Sequence, residues 1–297
     1  MLDVRNLCVA RVKVDPSLFR DLPELLASHA VTDPGPLEIE RAGFTSCVKG
    51  ESDLFVRAAD GVAAFAFSVR KRVLPASVIN ERVGKKVEKA RERGEHVSAR
   101  GRRKLRAQAQ DELLPQAFIV SQVSRCWLDR DGWFVVESSS MSKAEHVMTK
   151  LREILGSFPA VWLRPEAPRL VLTQWLRKGP DDAAFGLGND CTLVHDGSAS
   201  WTGQSVELLG SEEVKEHLDA GAHVKRLGMT YMDRLSFTFG DDGIIRKFRL
   251  LETAIEDKGD SEDALSEFDA GLVLVSGEVR SLLEKLNEVF NCAAEPE

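Results

Sequence analysis

Apolar and polar positions alternate through residues 3–13, a period of two that predicts a β-strand. Asp15-Pro16 follows as an N-cap with proline at the first helical position, opening a helix through Leu18, Leu22, Leu25 and Leu26 with Pro23 as a point of restart. Two apolar runs then flank Asp60-Gly61, two more flank Asp131-Gly132, and a third pair, RLSFTF and IIRKFRL, flanks Asp242-Gly243. Asp-Gly supplies the positive-φ positions that tight hairpin turns demand. Three such turns predict antiparallel pairing as the main framework.

Helical patterns come between the hairpins. Ser142-Lys-Ala-Glu145 reads as a capping box, followed by Ala144, Val147, Met148, Leu151, Ile154 and Leu155 on one face and a terminating Gly156. Ser211-Glu-Glu opens a shorter helix ending before Gly221, and Val279, Leu282, Leu283, Leu286, Val289 and Phe290 mark an amphipathic helix near the C-terminus. The acidic stretch Glu252–Asp269 reads as a solvated loop. Hairpin followed by helix, several times over, is an α+β arrangement of antiparallel sheets with flanking helices. The expected organisation is a central region (1–74 and 119–175), a helical segment (75–118) and a C-terminal α+β region (176–297).

The segment 75–118 breaks the rhythm. After Pro75 a helical pattern carries only a thin apolar stripe (Val78, Ile79, Val83, Val87, Ala90) and stops at Gly94. A second pattern, 98–113, has few apolar residues beyond Leu105, Leu113 and Leu114. Between Arg82 and Arg106 stand eleven cations and three carboxylates, a net +8 in a chain whose total is −7, which leaves −15 elsewhere. A helix pair this polar projects into solvent, binds a polyanion or packs on another subunit. The run Leu113-Leu114-Pro115-Gln116-Ala117-Phe118 closes the segment either as a core plug or as a docking point.

Composition excludes several classes. Hydrophobic content of 43% and charged content of 29% describe a globular chain, and no apolar run reaches the length that spans a bilayer. Five scattered cysteines without a CxxC pair predict reduced thiols in a cytosolic protein and no zinc module. The six histidines fall outside metal-ligand spacing, and HExxH, GxxxxGK[ST] and GxSxG are missing. Phe185–Asp190 (FGLGND) has two glycines of a nucleotide loop but lacks the third. Asp241-Asp242 has the composition of a metal pair for phosphodiester cleavage, against the turn role that Asp-Gly fills.

Over nearly its full length the chain resembles the bacterial recombination-associated RdgC family. The matching pieces are Met1-Leu2 with Asn6-Leu7, Leu74-Pro75 with Val78-Ile79, Leu113-Leu114-Pro115 with Ala117-Phe118, and Leu155-Gly156-Ser157 with Pro159. Leu172-Thr173 with Trp175, Asp241-Asp242-Gly243, and Phe268-Asp269-Ala270 with Ser276-Gly277-Glu278 complete the set. Their order and spacing together carry the likeness.

The resemblance implies a cytoplasmic, nucleoid-associated, non-enzymatic protein that binds double-stranded DNA, with single-stranded DNA as a weaker partner, and needs no cofactor or metal. It implies a ring-shaped homodimer of curved, multi-lobed subunits with DNA through a positively charged hole, opposing RecA in recombination and acting in replication-fork repair. Phe118, and with it Leu114, then belongs to a subunit contact. This sequence departs from the family at Thr202–Glu207, where a Lys-rich finger is replaced by a stretch without a cation, leaving Gln204 or Ser205 to touch DNA there. The expected DNA-binding residues are Lys85, Lys86, Lys89, Arg91, Arg93, Arg100, Arg102, Arg103, Lys104 and Arg106, with Gln204 and a second patch of Arg246, Lys247 and Arg249. Two rival readings stand beside it: a metal-dependent nuclease built on Asp241 and Asp242, and an interaction protein for an acidic partner or RNA. Few aromatic residues lie beside the basic cluster to stack single-stranded bases.

Overall fold

The chain, analysed as a computed structural model, is described at all residues except 1–3, 14–15, 49, 196–199, 205–207, 256–262, 293, 295 and 297, and at 16–18 for backbone alone. It opens with β1 (Leu7–Val12), α1 (Pro16–Ser28), β2 (Glu40–Thr45), β3 (Val56–Ala59) and β4 (Val62–Val73). Two helices follow, α2 (Ala76–Glu92) and α3 (Ala99–Leu113), then β5 (Phe118–Asp129), β6 (Trp133–Glu137), α4 (Met141–Leu155), β7 (Ala160–Trp162) and α5 (Pro168–Lys178). The remainder is β8 (Phe185–Val194), β9 (Ser200–Gln204), α6 (Glu212–Asp219), β10 (His223–Tyr231), β11 (Leu235–Gly240), β12 (Ile245–Leu250), α7 (Glu252–Ile255) and α8 (Ala264–Phe290).

All twelve strands join one antiparallel sheet in the order β2-β4-β5-β6-β1-β12-β11-β10-β8-β9, with β3 beside β4 and β7 beside β1. The three Asp-Gly turns lie where their chemistry predicts. Asp60 and Gly61 have φ of +47° and +74° and close β3 onto β4 at the pair Ala59–Val62, as a primed turn requires. The central seam is β1, which takes β6 along one edge and β7 and β12 along the other. The hairpins thus merge into a single sheet.

Helices cover this sheet unequally. Alternate residues of β1 point to opposite faces, so Leu7 and Val9 enter one core while Cys8, Ala10 and Val12 enter the other. The first core runs the length of the sheet under α5, α6 and α8, with Leu272, Val279, Leu283 and Leu286 of α8 fully buried. The second lies only over the β1–β7 half, under α1 and α4, around Phe65, Phe134 and Met148. Among the described residues no helix covers the opposite face of β8–β12 in this way, and its groove is lined largely by polar residues, with Leu187, Leu208 and Leu209 beside them.

Three local expectations change. α1 runs through Pro23 without a restart, and its expected cap, Asp15, lies outside the described residues. The capping box does not form: Ser140 is the N-cap of α4 without a side-chain bond, while Glu145 accepts from the indole Nε1 of Trp162. The acidic stretch is largely helical where it is described. Asp263 caps α8 by accepting from the amides of Leu265 and Ser266, and Asp269 holds Arg57 of β3 in a bidentate pair. With Arg280 on Asp129 and Asp131, that pair fastens α8 across the central hairpins.

Candidate nucleic-acid interface

β4 and β5 pair along their whole lengths, from Val62–Asp129 to Val73–Phe118, and the helical hairpin α2–α3 is inserted at the far end of this ladder. Its own core is small: Ile79, Ala109 and Leu113, with Leu74 and Val83 packed beside them. Arg93 and Gly94 end α2, Gly94 at φ +77°, and Ser98 caps α3 by accepting from the amide of Gly101. With so little to bury, most of each helix faces water.

The cations sort by position. Near the root Lys86 and Arg82 share Glu112, Lys85 pairs with Glu81 one turn earlier, and Arg106 donates to Asn80 at 2.8 Å. The Lys86 ammonium holds the Glu112 carboxyl below the ordinary range. Toward the turn Lys89, Arg91, Arg93, Arg100, Arg102, Arg103 and Lys104 are all exposed and make no ion pair among the described residues. Arg91 and Arg102 approach from different helices to line one groove of about 490 Å³, floored by Val83, Gly84 and Val87. Seven cations without an ion pair, against Glu88, Glu92 and Glu95 in the same segment, leave a net positive field around one turn of an acidic protein.

The closing apolar run divides in two. Leu113 and Leu114 face inward, Leu114 at 9% exposure, and the carbonyls of Leu114, Pro115 and Ala117 receive Arg72. Phe118 is 87% exposed, and Val73, its partner across the ladder, is exposed as well. Leu114 is therefore packed within the chain, and Phe118 is left exposed at the root of the hairpin.

The second predicted patch lies on the uncovered face of β8–β12. Gln204, Lys247 and Arg249 line one groove of about 1030 Å³ with Gly228, Thr230 and Ser236. A bulge in β12 puts Lys247 at φ +50°, and its ammonium meets Asp190 at 2.9 Å; Arg249 has no partner among the described residues. Arg246 is different. Its side chain is 14% exposed and forked onto Asp242 at 2.6 and 2.8 Å, so its charge is answered within the turn. Burial pushes the Asp242 carboxyl up, but the Arg246 hydrogen bonds outweigh it and hold it below the ordinary range. Ser205 lies outside the described residues.

Sequence reasoning missed Arg226 of β10, the cross-strand partner of Gly240, and the role of Asp190. Bulges in β10 and β8 set which side chains reach this face, and no local pattern announces them. The segment FGLGND is β8 itself. A Cβ at Gly188 would come within 2.9 Å of the Gly228 backbone, so the glycine serves strand packing.

The alternative chemistry finds little support in side-chain placement. Asp241 is bound by Arg169 and Asp242 by Arg246, each at 2.6–2.8 Å, as the two carboxylates of one hairpin turn. Among the described residues no three His, Cys, Asp or Glu side chains converge. The five cysteines are unpaired thiols. Burial pushes Cys8 and Cys292 up to about 12, Cys47 and Cys191 up to about 11 and Cys126 well above its usual value, so none is a thiolate at neutral pH. No helix among the described residues is long and apolar enough to cross a membrane.

A family model described as "RdgC: Putative exonuclease, RdgC" matches residues 3–293. The recombination-associated protein RdgC of Stenotrophomonas maltophilia (strain R551-3) is 34% identical over 276 residues, which cover 90% of this chain and 91% of that protein. The recombination-associated protein RdgC of Xanthomonas oryzae pv. oryzae (strain PXO99A) is 35% identical over 272 residues, 89% of this chain and 90% of that one. That of Xanthomonas campestris pv. campestris (strain B100) is 34% identical over 280 residues, 92% of each. With matches that span the β1–β7 half, the basic hairpin and the β8–β12 half alike, the chain belongs to the RdgC family.

Proposed function

We propose that the protein is a non-enzymatic, sequence-independent binder of double-stranded DNA that acts as a homodimer, encircles the duplex and limits RecA-dependent recombination at the nucleoid. The observation that carries this reading is the set of seven exposed cations at the α2–α3 turn without an ion pair among the described residues, in a chain whose relatives are named recombination-associated proteins. Phosphate contacts from Lys and Arg release counterions and need no base edge, so affinity follows salt and not sequence. Phe118, exposed at the root of the hairpin, is the contact through which a second subunit closes the ring.

The decisive measurement is binding to a short random-sequence duplex across a salt series, with the Arg102→Ala/Arg103→Ala/Lys104→Ala variant alongside. With six to ten phosphates contacted, wild type loses roughly 10³–10⁵ in affinity between about 50 and 200 mM salt. The triple variant has a slope shallower by about 2.7. Weak binding with a flat slope would sink the proposal in favour of a protein partner. The family description also names an exonuclease, so the same protein is incubated with labelled duplex and Mg²⁺ or Mn²⁺. Metal-dependent degradation that Asp241→Asn and Asp242→Asn abolish would replace the binding reading with an enzymatic one.

A further inference from the structure

The uncovered face of β8–β12 is crossed by rows of directly opposed residues. Thr230 of β10 faces Ser236 of β11 and Arg249 of β12; Gly228 faces Thr238 and Arg246; Arg226 faces Gly240. Leu227, Met229 and Tyr231 point the other way into the core, so Arg226 shares the uncovered side with Gly228 and Thr230. The rows are kept low by glycines. A Cβ at Gly228 would lie 2.5 Å from the Asp190 carboxylate, and one at Gly240 would lie 2.7 Å from Asp242, 3.0 Å from Arg246 and 3.4 Å from the stem of Arg226.

Four cations occupy this face, and two are already answered: Arg246 by Asp242 and Lys247 by Asp190. Arg249 has no ion pair among the described residues, and Arg226 has none either, though its charge reaches the Asp242 carboxyl that Arg246 already holds. Arg226 stands apart because its Nε is buried and without a hydrogen-bond partner, and none of its nitrogens bonds to a described residue. The buried Nε is closed to water and to a ligand alike, so an anchor here uses the two Nη donors, which also bond to no described residue. The fork of an arginine matches two oxygens of a phosphate.

We propose that Arg226 anchors one backbone phosphate of duplex DNA on this second surface, while Lys247 and Arg249, which line the groove further along the strands, meet others. The inference rests on the duplex-binding reading above. It adds an attachment point distant in sequence from the basic hairpin and identifies a residue the charge pattern did not mark. Charge complementarity selects the occupant: a polar, glycine-flattened face with a cationic surplus suits a phosphodiester strand. Its scarcity of aromatic side chains offers little for unstacked bases.

Duplex binding is measured across a salt series for wild type, Arg226→Gln and Arg226→Lys, with thermal melting to confirm folding. The Gln variant is expected to lose several-fold in affinity and about 0.9 from the slope. The Lys variant should keep the slope and lose affinity through the missing fork. On the folded wild type, phenylglyoxal labelling read by mass spectrometry should find Arg226 protected by duplex, a result that does not depend on a variant folding. Unchanged slope in Arg226→Gln or labelling of Arg226 indifferent to DNA would overturn the anchor, while a shallower slope in the α2–α3 triple variant would leave the broader reading standing. Failure of wild type to bind duplex would remove both.

Discussion

The two basic surfaces carry positive charge in opposite ways. On the α2–α3 hairpin the cations are dense, contiguous in sequence and unpaired toward the turn, on helices with a three-residue buried core. On the β8–β12 face they are sparse and scattered, two of four are neutralised by carboxylates, and the sheet beneath rests on the largest core of the molecule. The first is a dense charge reservoir on a small core; the second is a sparse array on a large one. Long-range attraction follows summed charge, whereas register on a ligand follows fixed geometry. The hairpin is thus suited to capture and the sheet face to placement.

The sharpest test of that contrast is stability, because the two scaffolds differ most there. Leu286→Ala empties a fully buried site of α8 and should destabilise the whole molecule by about 2–5 kcal/mol. Ile79→Ala removes a comparable volume from the hairpin core. It should raise amide exchange through α2 and α3 while the main thermal transition stays near wild type. Equal shifts of the main transition would mean that the hairpin folds as one unit with the sheet, and the contrast would fail.

Next in size is the contact at the hairpin root. Truncating a buried aromatic anchor costs about 2–4 kcal/mol, so Phe118→Ala should weaken dimerisation roughly thirty- to nearly a thousand-fold by sedimentation. The monomeric fold should survive, since Phe118 is 87% exposed. Duplex should also leave the variant faster. A dimer of undiminished strength would show that this exposed ring serves another purpose.

What was legible in the sequence follows the range of the interaction. Asp60-Gly61 and Gly156 act on their own neighbours, and their φ values of +47°, +74° and +72° match the reading. The polar helices were legible for the same reason: a residue that packs against nothing distant is described by its local pattern. Ser142–Glu145 misled because Glu145 was drawn to Trp162, seventeen residues on. The single sheet depends on β1 meeting β12, and the length of α8 on a face that spans both halves, neither of which is written locally. On the second surface Lys247 pairs with Asp190, fifty-seven residues away, and bulges decide which side Arg226 takes. Cations could be counted in the sequence, but their neutralisation could not.

The smallest effect separates counted charge from available charge. The Asp190 carboxylate accepts from Lys247 at 2.9 Å and Thr238 at 3.2 Å, and its side chain is 22% exposed. Asn is isosteric, keeps an oxygen for the Thr238 hydroxyl, and leaves Lys247 without a counter-charge. Asp190→Asn should therefore tighten duplex binding about two- to fivefold, the weight of a partly exposed ion pair at roughly 0.5–1 kcal/mol, and steepen the salt slope by up to about 0.9. On the hairpin the matching change is Glu81→Gln, which frees Lys85 from a pair exposed on both sides. There the cation is already screened by water and surrounded by others, so affinity should barely move. If Asp190→Asn binds more weakly instead, the carboxylate is holding Lys247 in its productive place, and the sheet face is organised by its acids as much as by its cations.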